Sequence, residues 1–168
     1  MKRLVFIFFT GILMSCNDGD LQIESIDFDD SSIQTCEATI TLSSTVFFKL
    51  NTEEALILEL ASGLLKNEVS QDTIISALPG ESSLIYRLFT GTVATNYFCD
   101  AIPPITPTVL EEIEASVGEV LITTIQSLTD STQFEHTIEL RNITLINEQG
   151  ERITDTSISN FGTITTSL

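Results

Sequence analysis

The stretch FEHTIEL, Phe134 to Leu140, alternates apolar and polar side chains with a period of two, and the pattern recurs along most of the chain. Successive side chains of an extended strand point to opposite faces. The pattern therefore puts Phe134, His136, Ile138 and Leu140 on one face and Glu135, Thr137 and Glu139 on the other. Strands are predicted over residues 21–28, 35–43, 46–50, 55–61, 83–90, 93–99, 119–128, 134–140, 143–146 and 152–159. Turn-forming clusters separate them: DDSS, LPGESS, IPPITP, LTDST and NEQGE. Scarce Lys and Arg and abundant β-branched residues agree with this reading. Many short strands at this spacing predict an all-β fold, an antiparallel β-sandwich of the immunoglobulin-like kind.

Two segments resist that pattern. In TPTVLEEIEAS, Thr108 followed by Glu111 has the spacing of a capping box and could open a helix. Val109, Glu111, Ile113 and Ala115 also alternate as an edge strand does, with Pro107 at its start, and strand is the favoured reading. Residues 61–76, ASGLLKNEVSQDTIIS, are the least strand-like and are expected to form a long loop, where a binding edge would be sought first.

The N-terminus follows a different rule. MKR is a short positive start, and Leu4 to Met14 is an apolar run of eleven residues. Spanning a bilayer as a helix takes about 17 to 25 residues, so residues 1–15 are expected to be a cleaved export signal. The residues Leu13, Met14, Ser15 and Cys16 resemble the lipobox of bacterial lipoproteins, in which a small residue directly precedes the lipidated cysteine. That resemblance implies a diacylglyceryl group on the Cys16 sulfur and Cys16 as the acylated mature N-terminus. Each buried methylene contributes about 0.8 kcal/mol, so two or three acyl chains hold a protein at a membrane without a protein helix. Residues 16–20 would then form the lipidated cysteine and a short acidic tether, and 21–168 a single domain.

With Cys16 assigned, Cys36 and Cys99 remain as an even pair in a disulfide-permissive compartment. Cys36 shares a predicted strand face with Ala38, Ile40 and Leu42, and Cys99 shares one with Tyr97. They are expected to bridge, the alternative being two buried free thiols.

Charge narrows the partners. The chain carries 7 Lys and Arg against 24 Asp and Glu, a formal net charge of −17, and loss of Lys2 and Arg3 with the leader takes it to −19. Nucleic-acid phosphates would repel such a surface, so no nucleic-acid partner is expected.

Catalytic patterns are sparse. His136 is the one histidine, and its apolar strand face marks it as a core or edge residue rather than a general base. GESSL, Gly80 to Leu84, lacks the final glycine of a nucleophile elbow. Zinc sites need several His or Cys ligands, and neither GxxxxGK[ST] nor GxGxxG occurs, so no cofactor is expected. Glu111, Glu112 and Glu114 could supply a glycosidase pair, yet in so acidic a chain paired carboxylates carry little information. Asp27, Asp29 and Asp30 are weak calcium candidates, with a solvated acidic turn as the plainer reading and no EF-hand spacing. Glycan stacking is weakened by the absence of Trp; Tyr86 and Tyr97 sit in apolar strand patterns. Asp72-Thr73-Ile74 resembles the Asp-Ser/Thr-apolar tripeptide of O-glycosylation in the Bacteroidota, which makes Thr73 a modification candidate.

Taken whole, the mature chain resembles the small lipoproteins of flavobacteria and their relatives. The features that carry this are the lipobox, the acidic residues after Cys16, the Cys36 and Cys99 pair, and IPPITPTVLEEIEASVGEVLITT. The resemblance implies a cell-envelope location and a fold class, and no activity comes with it. Acidic residues behind the lipidated cysteine resemble a surface-export signal in that group, matched in part by Asp18 and Asp20 with Gly19 between them. The expectation is a noncatalytic outer-membrane lipoprotein, on the periplasmic or the surface face, that binds another protein or a surface ligand. A calcium-dependent adhesion or assembly module is the alternative, and an acidic-residue hydrolase a more distant one.

Overall fold

The computed structural model describes residues 26–147, 150 and 152–168, with 153–159 described by backbone alone. The leader, Cys16, the tether at 16–20 and most of the strand expected at 21–28 lie outside the described residues. The described residues form seven antiparallel strands and one short helix: β1 Val46–Asn51, β2 Glu54–Glu59, β3 Ile74–Leu78, β4 Ser83–Phe89, α1 Asn96–Cys99, β5 Val109–Gln126, β6 Gln133–Ile146 and β7 Arg152–Ser167. The all-β, antiparallel class read from the alternation is what forms. Hydrogen bonding joins the strands in one continuous sheet of order β1-β2-β4-β5-β6-β7, with β3 also on β5.

Strand β5 organises the fold. Its first part pairs with β4 from Val109 to Glu114, and its second pairs with β3 through Gly118–Ile122 and with β6 as far as Gln126. Between the two the register on β6 shifts twice, around Val117. Gly118 sits there with φ +156°, a conformation side-chain-bearing residues rarely adopt, and a Cβ on it would lie 2.6 Å from Ile143 Cδ1, which would have to shift. The bulged strand lets the two parts of the sheet curl around one core. Phe47, Leu58, Leu84, Tyr86 and Ile113 come from the first part, and Val120, Ile122, Ile138, Leu140 and Phe161 from the second.

The curl brings the two ends of the sheet near each other. Lys49 Nζ on β1 lies 5.8 Å from the Phe161 ring centroid on β7. Gln34 exchanges backbone hydrogen bonds with Phe48 at 2.8 and 2.9 Å, covering the free edge of β1. Next to it, Ile33 packs so close to Gly162 (φ +135°) that a Cβ there would be 2.7 Å from Ile33 Cδ1. The N-terminal segment thus lies between β1 and β7.

The outer face of β1 and β2 is apolar as well, and α1 covers it. Phe98 stacks on Phe48 at 4.6 Å between centroids, and Tyr97 meets Phe89 edge-on at 5.0 Å. Ala55, Phe89 and Val93 are buried beneath them.

Several predicted elements are corrected. Residues 93–99 are no strand: Val93, Tyr97 and Phe98 turn onto Phe89 through a helical turn, a spacing that matches helix rather than extended chain. Residues 35–43 are bends and turns, because their hydroxyls satisfy the backbone locally. Thr41 N–H donates to Ser44 Oγ at 2.9 Å, Ser44 N–H to Thr41 O at 3.1 Å, and the Ser44 hydroxyl to Glu37. Residues 26–28 are irregular. The loop expected at 61–76 gives way at its end to β3, which begins at Ile74. TPTVLEEIEAS is strand from Val109 on, not from Pro107, and belongs to an interior strand rather than an edge, because β4 and β6 both pair with β5; it runs on into the strand expected at 119–128, and the strands expected at 134–140 and 143–146 are one strand in which Asn142 takes φ 55°.

Cys36 and Cys99 form the expected disulfide, across a separation of 63 residues. Neither lies on a strand and Cys36 is exposed, so the bridge ties the N-terminal loop to α1 and fastens the helix over the outer face rather than linking two inward strand faces.

Candidate functional site

The segment 61–73 crosses the far end of β5, β6 and β7 and is held there by a buried hydrogen-bond chain. His136 is fully enclosed. Its Nδ1 lies 2.8 Å from Thr124 Oγ1 on β5, and its Nε2 lies 2.8 Å from Thr166 Oγ1 on β7. The Thr166 hydroxyl donates to Asn67 Oδ1 at 2.5 Å, and Asn67 Nδ2 donates to Ser167 O at 2.9 Å, which fixes the amide orientation. Because the single Thr166 proton goes to Asn67, Thr166 accepts from His136, so the imidazole carries its proton on Nε2. Nδ1 then accepts from the Thr124 hydroxyl. Burial pushes the His136 pKa down from its ordinary 6.5, in keeping with a neutral ring.

Ser70 completes the seating. Its N–H donates to Thr124 O at 2.9 Å, and Thr124 N–H donates to Ser70 Oγ at 3.0 Å. Leu65 plugs into the main core beside them. Between this segment and the start of β3 a groove of about 260 Å³ opens, walled by Lys66, Glu68, Ser70 and Asp72 and floored by Ile74 and Thr124. Lys66 and Glu68 face each other at 3.9 Å on its exposed rim. The groove thus offers one cation, two carboxylates and hydroxyls beside a small apolar floor.

Thr73 is exposed at the edge of this segment, immediately before β3. The acidic candidates behave differently. Asp27 accepts the Asp29 N–H at 3.0 Å in a local turn, and both carboxylates act on Lys49, whose side chain is almost wholly buried inside the curl. Desolvation lowers the Lys49 pKa, and Asp29 and Asp27 oppose that shift. Among the described residues no three His, Cys, Asp or Glu side chains gather as a metal-holding group, so Asp27, Asp29 and Asp30 do not form one together. Glu112 is spent on Arg87, whose Nε donates to it at 2.7 Å, and Tyr86, buried as its pattern suggested, donates to Glu54 at 2.5 Å.

A second groove, about 460 Å³, lies between the ends of β2 and β4 and is lined by Glu59, Glu81 and Glu114. Ser82 lines it too, and its hydroxyl lies 2.8 Å from that of the buried Ser76 behind it. Sequence reasoning missed it, since Glu59, Glu81 and Glu114 are far apart along the chain and no spacing announces them.

No protein-family model, curated protein or solved structure matches the chain.

Proposed function

We propose that this chain is a lipid-anchored cell-envelope protein whose β-domain binds a protein or surface ligand without catalysing a reaction on it. The observation that carries the noncatalytic reading is the enclosure of His136. The chain's one imidazole has both nitrogens committed to threonine hydroxyls and reaches no surface, so it cannot collect a proton from a substrate. Anchorage is supported by the Leu13–Cys16 stretch, and export by the Cys36–Cys99 bridge, which needs an oxidising compartment to persist. Among the described residues no helix is long and apolar enough to cross a membrane. The groove beside the 61–73 segment, with its mixed charges and apolar floor, is the proposed ligand edge.

Two measurements test this together. Mass analysis of the N-terminal peptide from purified membranes should find Cys16 acylated, and an unmodified peptide beginning before residue 16 would end the anchorage reading. Protease treatment of intact cells, compared with lysed cells, should then release the domain from the surface, or spare it until lysis if it faces the periplasm.

A further inference from the structure

We propose that the loop between α1 and β5 is a second membrane contact, an uncharged apolar tip that beds into the headgroup region of the same bilayer that holds the acyl chains. This rests on the lipid-anchor reading above.

The loop runs AIPPITPTVL, Ala101 to Leu110, without a single charged side chain in a chain of net charge −17. Ile102 is 86% exposed, Ile105 91% and Leu110 63%, so three large apolar side chains stand in water within nine residues. Large apolar side chains exposed this close together on one loop point to a contact site. The loop is also held in place at both ends. Cys99 is bridged to Cys36 just before it, and Thr90 clamps its far end, with Thr90 N–H donating to Thr108 O and Thr108 N–H to Thr90 Oγ1, both at 2.9 Å. Pro103, Pro104 and Pro107 restrict it further.

The occupant is argued from where the rest of the chain leaves the domain. Ser31 Oγ donates to Leu50 O at 2.9 Å, at the end of β1. The β1–β2 turn meets the end of β4 there, through Phe89 N–H to Glu53 O at 2.8 Å, and Phe89 pairs with Val109 at the start of β5. The N-terminal segment and the apolar loop therefore share one end of the sheet. Ten residues separate Ile26 from Cys16 and reach at most about 35 Å, so a lipid on Cys16 would hold this end of the sheet within that distance of the bilayer. With no Lys or Arg in the loop, anionic lipid gives it no attraction, so the surface it suits is zwitterionic or neutral.

The native chain has no Trp, so one introduced indole reports cleanly. Acylated, full mature protein is reconstituted into phosphatidylcholine vesicles as Ile105→Trp and, separately, as Leu128→Trp, a position 99% exposed beyond the opposite end of β5. Expected are a blue-shifted Ile105→Trp emission, quenched several-fold more strongly by brominated lipid than that of Leu128→Trp. Equal, weak quenching of the two on vesicle-bound, acylated protein overturns the proposal. So does a blue shift of Ile105→Trp that grows with protein concentration without vesicles, which would assign the loop to a second copy. The mass of the N-terminal peptide reports the anchor independently: an unacylated chain whose Ile105→Trp is still quenched by added vesicles sinks the anchor reading and leaves the loop contact standing.

Discussion

The hydrogen-bond chain through His136 makes stability acid-sensitive over a defined window. In the unfolded chain the imidazole titrates near 6.5, whereas burial pushes the native value below that. Below pH 6.5 the unfolded state therefore binds a proton that the native state does not, and the unfolded state gains. Stability from this group is fully present above 6.5 and is lost as pH falls toward the native pKa. If the native ring stays neutral throughout, the loss between pH 7.5 and 5.5 is about 1.4 kcal/mol. At a urea slope of about 2 kcal/mol per molar, that moves the unfolding midpoint down by about 0.7 M. The assay is urea unfolding at pH 7.5, 6.5 and 5.5 of the disulfide-intact domain, wild type against His136→Gln. The variant should be less stable at pH 7.5 by about 1–3 kcal/mol for each hydroxyl left unpartnered, and should lack the His136 part of the slope. Carboxylates contribute equally to both proteins, so the difference isolates the imidazole. Parallel loss of stability in the two proteins between pH 7.5 and 5.5 would refute the argument, as would NMR detection of the ring proton on Nδ1.

Other perturbations probe the remaining devices. Replacing Cys36 and Cys99 together by alanine opens a loop of 63-residue separation and should cost up to about 4 kcal/mol in chemical unfolding; a change under about 1 kcal/mol would mean that the aromatic cover over Phe48 and Phe89 holds α1 unaided. Gly118→Ala forces a side chain into a positive φ against Ile143 and should cost about 1–3 kcal/mol by the same measurement, whereas a neutral result would show that the β5 bulge can relax. Lys49→Met removes a desolvated ammonium from the curl and should leave stability unchanged or raise it at neutral pH. In that background Asp29→Asn should lose whatever effect it has in wild type, an effect under about 1 kcal/mol because Asp29 is exposed; an effect of Asp29→Asn that persists there would refute the electrostatic link.

Strands with unbroken alternation were legible from the residues, and FEHTIEL is the clearest: Phe134, His136, Ile138 and Leu140 are all buried. What misled was alternation without burial. Cys36, Ala38, Ile40 and Leu42 alternate, but Cys36 and Ala38 are exposed and the interleaved hydroxyls close local turns instead of joining a ladder. Strand β3 hid for the converse reason, since its central inward residue is Ser76, whose buried hydroxyl is satisfied by Ser82 and Glu81. The disulfide was legible by count, while its role in fastening α1 was not, since that depends on a four-residue helix that residues 93–99 do not announce. At the candidate site, the segment 61–76 was marked for its lack of pattern, and the groove does lie there. That His136 fastens this segment could not be read, because Asn67 and Thr166 are 99 residues apart.

The two ends of the domain thus fix their irregular segments by different forces, with a consequence for the groove. Near the start of β5, α1 is held by stacked rings and a covalent bridge, and neither changes charge between pH 5 and 8. Fifteen residues further along β5, about 50 Å of strand contour, the 61–73 segment is held by Leu65 and by hydroxyl and amide hydrogen bonds that terminate on a neutral imidazole. A proton added to Nδ1 meets the Thr124 hydroxyl proton already directed at it, so Thr124 must rotate. Thr124 also lies in the floor of the groove, and its backbone exchanges both hydrogen bonds with Ser70. Acid therefore acts first on the groove and its covering segment, while the end bearing Cys36 and Cys99 keeps its packing. Corrected for the slower intrinsic exchange at lower pH, amide protection factors should fall at residues 67–70 before they do in β1 and β2 as pH drops below 6.5, and a simultaneous fall in both places would mean that the sheet yields as one unit.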